Sequence, residues 1–320
     1  MRTAIRVVLV ASLVGAIGLG LPGLTPTQAG TIEAWGRDDH DQVGNTPADA
    51  DFAAISAGGG HSLALRNDGS IAAWGWDHLG QGTAPAGDNF VAIDAGNEHN
   101  LAILNTGAVV AWGNGGDGRC NAPAGTYTAV SGGNAFSMAL RSDGTIVAWG
   151  ADDANQVTNV PGGTDFVAIG SGDRFGLALR DNGSIVAWGT NGEDTNVVGN
   201  VPAGAYDAIA AGSHWAMALQ NGSIVAWGDN GKNQVSSVPG DSDFIAISGG
   251  YGHGMALHAD GSIAAWGWNE FGQVGNTPGG TGFAAIEAGD LHNLAVTPEP
   301  ATLTLLALGG LGLLARRRRK

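Results

Sequence analysis

The chain has 320 residues, 43% of them hydrophobic, with 56 glycines and a formal net charge of −15. That is enough for one large all-β domain or two ordinary domains. Between Gly30 and Pro298 stand seven Lys+Arg against 28 Asp+Glu, a balance of −21, which argues against nucleic acid because phosphate binding needs a basic surface. The single cysteine, Cys120, excludes an internal disulfide and reads as an incidental thiol.

Residues 1–29 read as a secretory leader. Arg2 and Arg6 form a basic start, Val7 to Leu21 an apolar core, and Thr27-Gln28-Ala29 a small-residue cleavage site. The apolar core is shorter than the roughly 20 residues of a membrane span. The mature chain is expected to begin near Gly30.

A Trp-Gly pair then recurs along the body, at Trp35, Trp74, Trp112, Trp149, Trp188, Trp227 and Trp266, in steps of 39, 38, 37, 39, 39 and 39 residues. A fixed period of this size signals a repeat architecture. One unit, Phe166 to Gly189, reads FVAIGSGDRFGLALRDNGSIVAWG. It holds three short apolar runs of strand length. Asn182-Gly183 lies between the second and third, and Asp68-Gly69, Asp143-Gly144, Asn221-Gly222 and Asp260-Gly261 are its counterparts. Such pairs favour the positive φ angles of a tight hairpin.

Each unit opens on an aromatic, from Phe52 to Phe283, and later places a Gly three residues before a bulky ring. That ring is His61, His99, Phe136, Phe175, Trp215, His253 or His292. Three strands per unit, repeated radially, predict a β-propeller. The first Trp-Gly ending has no opening before it, and the last opening has no ending after it. An N-terminal strand that completes the last blade resolves both and removes an exposed sheet edge. The expected fold is therefore an all-β, seven-bladed propeller over residues 30–297, closed by its own N-terminal strand.

These residues carry a family resemblance. Gly250-x-x-His253, Ala256-Leu257, Asp260-Gly261, Trp266-Gly267, Asn269 and Gly272-Gln273 resemble the repeats of the regulator of chromosome condensation superfamily. The short period and the AWG endings are most similar to its secreted branch, that of β-lactamase inhibitor protein II. The resemblance implies a binding protein that works through loops on one face. It gives two readings: a surface binder of protein or glycan, and an inhibitor of a secreted hydrolase.

The tail is TPEPATLTLLALGGLGLLARRRRK. Pro298, Glu299 and Pro300 precede an apolar run, Ala301 to Ala315, and the basic cluster Arg316, Arg317, Arg318, Arg319 and Lys320. The run would span about 22 Å as a helix, against a hydrocarbon core of about 30 Å. This order resembles the bacterial PEP-CTERM sorting signal over residues 298–320. The resemblance implies an exosortase as partner, a transient inner-membrane stage, and delivery to the cell surface or extracellular matrix.

Chemistry is sparse. His61, His99, His253 and His292 share a slot with Phe136, Phe175 and Trp215, so the slot reads as packing or ring-to-backbone bonding rather than metal ligation. The acidic loops Gly36 to Gln42 and Gly150 to Gln156 offer oxygens for adventitious calcium, though without the spacing of an EF-hand. No cofactor is expected, no catalytic residue is nominated, and no cluster of carboxylates facing a common pocket is anticipated. The candidate ligand-binding residues are the aromatics that the repeat does not require, Trp76, Trp268, Phe271 and Tyr251.

Overall fold

The computed structural model describes residues 30–189 and 197–298. The leader and the tail from Glu299 onward lie outside the described residues, and the expectations placed on them with them. Seven three-stranded antiparallel sheets follow one another. The first six blades run Phe52–Ala57, His61–Arg66, Ile71–Gly75; Phe90–Ala95, His99–Leu104, Val109–Gly113; Tyr127–Gly132, Phe136–Arg141, Ile146–Gly150; Phe166–Ser171, Phe175–Arg180, Ile185–Gly189; Ala208–Ala211, Trp215–Gln220, Ser223–Gly228; and Phe244–Gly249, His253–His258, Ile263–Gly267. The seventh takes Ala285–Ala288 and His292–Pro298 from the end of the chain and Gly30–Gly36 from its start, paired from Gly30↔Pro298 to Gly36↔His292. Ring closure by the N-terminal strand is thus observed. Among the described residues no helix is long and apolar enough to cross a membrane.

Each middle strand is buried along almost its whole length. The apolar clusters lie between neighbouring blades. Leu177 and Leu179 of blade 4, for example, pack with Tyr206, Ile209 and Trp227 of blade 5. The core is therefore a series of inter-blade seams, and no blade has a core of its own.

The Trp-Gly pair owes its form to two contacts. The indole Nε1 donates to the backbone of the incoming loop: Trp35 to Gln273, Trp74 to Gln42, Trp149 to Arg119, Trp188 to Gln156, Trp227 to Val197 and Trp266 to Gln234, all at 2.8–3.0 Å. Trp112 is the exception, its Nε1 lacking a partner. The glycine that follows has φ between +90° and +107° in all seven copies. A Cβ on Gly75 would stand 2.8 Å from the Gly60 carbonyl oxygen, so only glycine fits.

The hairpins differ from expectation in one respect. Asn221-Gly222 is a two-residue turn with both φ angles positive, 51° and 81°. In the other hairpins an extra residue enters the loop and only the glycine is left-handed, as at Gly69. There the residue before the glycine accepts the N–H two residues on, as Asp68 does from Ser70 at 2.8 Å and Thr106 from Ala108 at 3.5 Å.

Candidate functional site: one face of the ring and its axial cavity

The turns between inner and middle strands define one face, and each inter-blade loop starts there. Trp76 N–H donates to Gly60 O and Trp268 N–H to Gly252 O, both at 2.8 Å, and Arg37 N–H to Leu291 O at 2.9 Å. The four nominated aromatics all fall on this face, but they form two groups. Tyr251, Trp268 and Phe271 are contiguous, with ring centroids 5.8 and 6.0 Å apart. Lys232 Nζ sits 4.3 Å above the Trp268 ring, and the Arg37 guanidinium 5.3 Å from that of Phe271. Tyr251 and Phe271 are 41% and 37% exposed, high for large apolar rings. Trp76 stands apart, half-buried and stacked between His40 at 5.3 Å and His78 at 6.3 Å.

The loops that carry these rings are folded by their own polar side chains. Asp38 Oδ1 accepts N–H bonds from Val43 and Gly44, and Asp152 Oδ1 from Val157 and Thr158. Asn269 does the same for Val274 and Gly275 in the Trp268 loop. A buried glutamine completes each motif, with Gln42 Oε1 accepting from His40 N–H and Gln273 Oε1 from Phe271 N–H. The acidic loops considered for calcium therefore direct these oxygens at backbone donors. Among the described residues, no group of three or more His, Cys, Asp or Glu could hold a metal ion.

On the ring axis lies a cavity of about 140 Å³, lined by residues of all seven blades. Among the described residues, four carboxylates, Asp94, Asp173, Glu287 and Asp290, belong to its wall, and no Lys, Arg or His does. Sequence reasoning missed this cluster and anticipated none. The signal was present: Asp94 and Glu287 follow the inner-strand isoleucine, where other blades carry Ser56, Ser131, Gly170, Ala210 and Ser248. An acid inside a buried strand is a marked exception.

Burial pushes Asp94 up to about 7 despite an N–H bond from Gly132 at 2.7 Å. Burial, then the Asp94 charge, hold Glu287 well above its ordinary value against a bond from Ser248 at 2.8 Å. Asp290 is pushed to about 7 by burial and then by Asp173, while Asn97 Nδ2 donates to it at 2.9 Å. Asp173 is raised by burial and restrained by His214, 3.3 Å away. His214 in turn meets Tyr251 edge-on at 6.0 Å, which joins the cavity mouth to the aromatic patch.

The ring slot is fully buried, and its histidines differ from expectation only in the partner they bond. His61 Nε2 lies 2.7 Å from Asn100 Oδ1, His99 Nε2 2.8 Å from Ser137 Oγ, His253 Nε2 2.7 Å from Asn293 Oδ1, and His292 Nε2 2.8 Å from Ser62 Oγ. The bond runs to a side chain of the next blade, not to backbone. Only Trp215 follows the backbone expectation, Nε1 donating to Gly250 O at 3.0 Å. Asn100 and Asn293 donate onward to Gln81 O and Gln273 O, which leaves Oδ1 to accept and His61 and His253 as the Nε2–H tautomer. Cys120 is half-buried and burial raises its thiol, so it lacks the features of a reactive cysteine.

The description "Regulator of chromosome condensation (RCC1) repeat" matches residues 52–81, 90–119, 166–194 and 244–273, and "PEP-CTERM protein-sorting motif" matches residues 296–320. The sorting motif marks an exported chain. No curated protein matches the sequence. Among solved structures, Prp20p from Saccharomyces cerevisiae superposes with a TM-score of 0.69 at 17% identity, over 89% of this chain and 95% of that one. Human WBSCR16 gives 0.68 at 14%, over 84% and 100%. The ectodomain of the Physcomitrella patens receptor kinase CR4 gives 0.64 at 24%, over 77% and 70%. These likenesses establish the fold.

Proposed function

From a ring of regulator of chromosome condensation repeats that ends in a PEP-CTERM motif, we propose a non-catalytic, exported binding protein of a bacterial surface or matrix. In this reading the leader, residues 1–29, is removed on export, and an exosortase recognises the tail, residues 298–320. The propeller between them binds a surface protein or polysaccharide through the face that carries Tyr251, Trp268, Phe271 and Trp76. The observation that supports it is the contiguous cluster of Tyr251, Trp268 and Phe271, partly exposed at positions where the repeat requires no aromatic. Such rings give large contact area at low conformational cost.

The test is affinity capture from the producing cell's surface extract with the immobilised propeller, beside the Trp76→Ala, Trp268→Ala double variant. The expected result is a retained partner that the variant loses while its unfolding midpoint stays within a few degrees of the parent. Equal capture by both proteins would overturn the site. A partner that resists protease and yields to glycan-degrading enzymes identifies a polysaccharide ligand. A single captured hydrolase, inhibited on binding, moves the reading to an inhibitor.

A further inference from the structure

We infer that the membrane-tethered chain holds the closing end of blade 7 at the bilayer and its aromatic face away from it, so that ligand binding and tail cleavage occur at opposite ends of the ring and do not compete. This rests on the reading of the tail as a membrane-inserted sorting signal. It goes beyond that reading in assigning the orientation of display.

The register of blade 7 supplies the geometry. Gly30↔Pro298 is the last pair of the ladder, so the chain enters and leaves the propeller at one point. Gly36↔His292 is the pair at the other end, and Arg37 N–H bonds Leu291 O there, on the aromatic face. A strand from His292 to Pro298 rises about 20 Å. The aromatic face and the exit point are therefore separated by the full height of the blade.

The tether is shorter than that height. Only Glu299 and Pro300 separate Pro298 from the apolar run that starts at Ala301. Whatever their conformation, three Cα steps reach at most about 11 Å. The headgroup layer consumes roughly 6 Å of this on the side where the ring stands. The remainder, about 5 Å, cannot carry the apolar run up a blade of about 20 Å to the aromatic face. Pro298 is itself buried and paired, so the ladder cannot lend length to the tether without fraying the seam that closes the ring.

A partner on Tyr251, Trp268 and Phe271 is then held before, during and after the cut, because the cut lies beyond the opposite end of the ring. The seam itself survives cleavage, since both of its strands lie on the ring side of Glu299.

The test uses the chain with its tail, reconstituted in vesicles that carry a nitroxide quencher on the lipid headgroups. Cys120→Ser provides the background, and a bimane label is placed at Ala259→Cys or Glu270→Cys. Both positions are exposed. Ala259 lies in the blade 6 hairpin, whose Gly261 O accepts from Phe283 N–H at the entry to blade 7, on the exit end. Glu270 lies in the Trp268 loop on the aromatic face. Quenching several-fold stronger at position 259 than at 270 is expected. Equal quenching in protein that floats with the vesicles, or stronger quenching at 270, overturns the orientation and leaves the tail reading intact. Protein that does not float overturns the tail reading on which the orientation rests.

Discussion

The ring divides into two arcs that solve the same packing problem differently. Blades 6, 7, 1 and 2 place His253, His292, His61 and His99 in the buried ring slot. Blades 3, 4 and 5 place Phe136, Phe175 and Trp215 there. The residue that each ring faces belongs to the next blade. Behind the histidines it is Asn293, Ser62, Asn100 and Ser137. In the blades after Phe136, Phe175 and Trp215 the same position is Gly176, Ala216 and Gly254. Polar faces polar and apolar faces small at all seven interfaces. The difference teaches that the slot is set between neighbours and that the unit of specification is the blade pair. The closing blade, assembled from both ends of the described chain, sits inside the polar arc, as do Tyr251, Trp268, Phe271 and Trp76.

The largest expected break comes from placing a polar ring in the apolar arc. Phe175→His would bury an imidazole opposite Ala216 with no side-chain partner, and would also lose the apolar volume of the phenyl ring. A cost of about 3 kcal/mol is expected, read from urea unfolding. Ala216→Ser, added in the same chain, supplies the missing acceptor and should restore roughly 1 kcal/mol. A double-mutant cycle with zero coupling would show that the pairing across blades carries no energy.

The converse exchange should cost less. His253→Phe keeps the slot filled but strands Asn293 Oδ1, for a loss of about 2 kcal/mol. Asn293 also donates to Gln273 O at 2.7 Å, so Asn293→Ala alone is expected to cost a similar amount. The pair of changes together should cost less than the sum of the two. Strict additivity within the error of the midpoint would refute the coupling.

The blade count, the period and the closure were legible because Trp-Gly recurs at every copy, the glycine left-handed in all seven and the indole bonded in six. The buried histidines were legible only as structural. Their partners lie 38 to 40 residues away or, for His292 and Ser62, 230. That relation becomes visible only once neighbouring blades are known to touch at this height. The axial carboxylates were missed because they fall on two repeat positions, each acidic in only two of the seven copies, and a repeat directs attention to what recurs. The four nominated aromatics were found by the opposite habit, as departures from the repeat, and the structure joins three of them.

The finest contrast is electrostatic. Burial lowers His61 and His253 to about 4 and His99 and His292 to about 3, while it raises Asp94 and Asp290 to about 7. The linkages have opposite signs. Between pH 6.5 and 4 the unfolded chain binds protons at histidines that the folded ring keeps neutral, so acid removes stability through this belt of four buried histidines. The folded ring binds protons at Asp94 and Asp290 that the unfolded chain has released, so their contribution is present in acid and is lost as pH rises through about 7. Asp94→Asn removes one carboxylate and leaves the belt intact. Relative to the parent it should raise the midpoint of thermal unfolding at pH 8, where a buried charge is otherwise forced on the cavity. The gain should shrink toward pH 5, where Asp94 is already neutral in the folded ring. A pH-independent gain would mean that the substitution acts through packing, and an equal loss at both values that Asp94 is held by its bond to Gly132 rather than strained by burial.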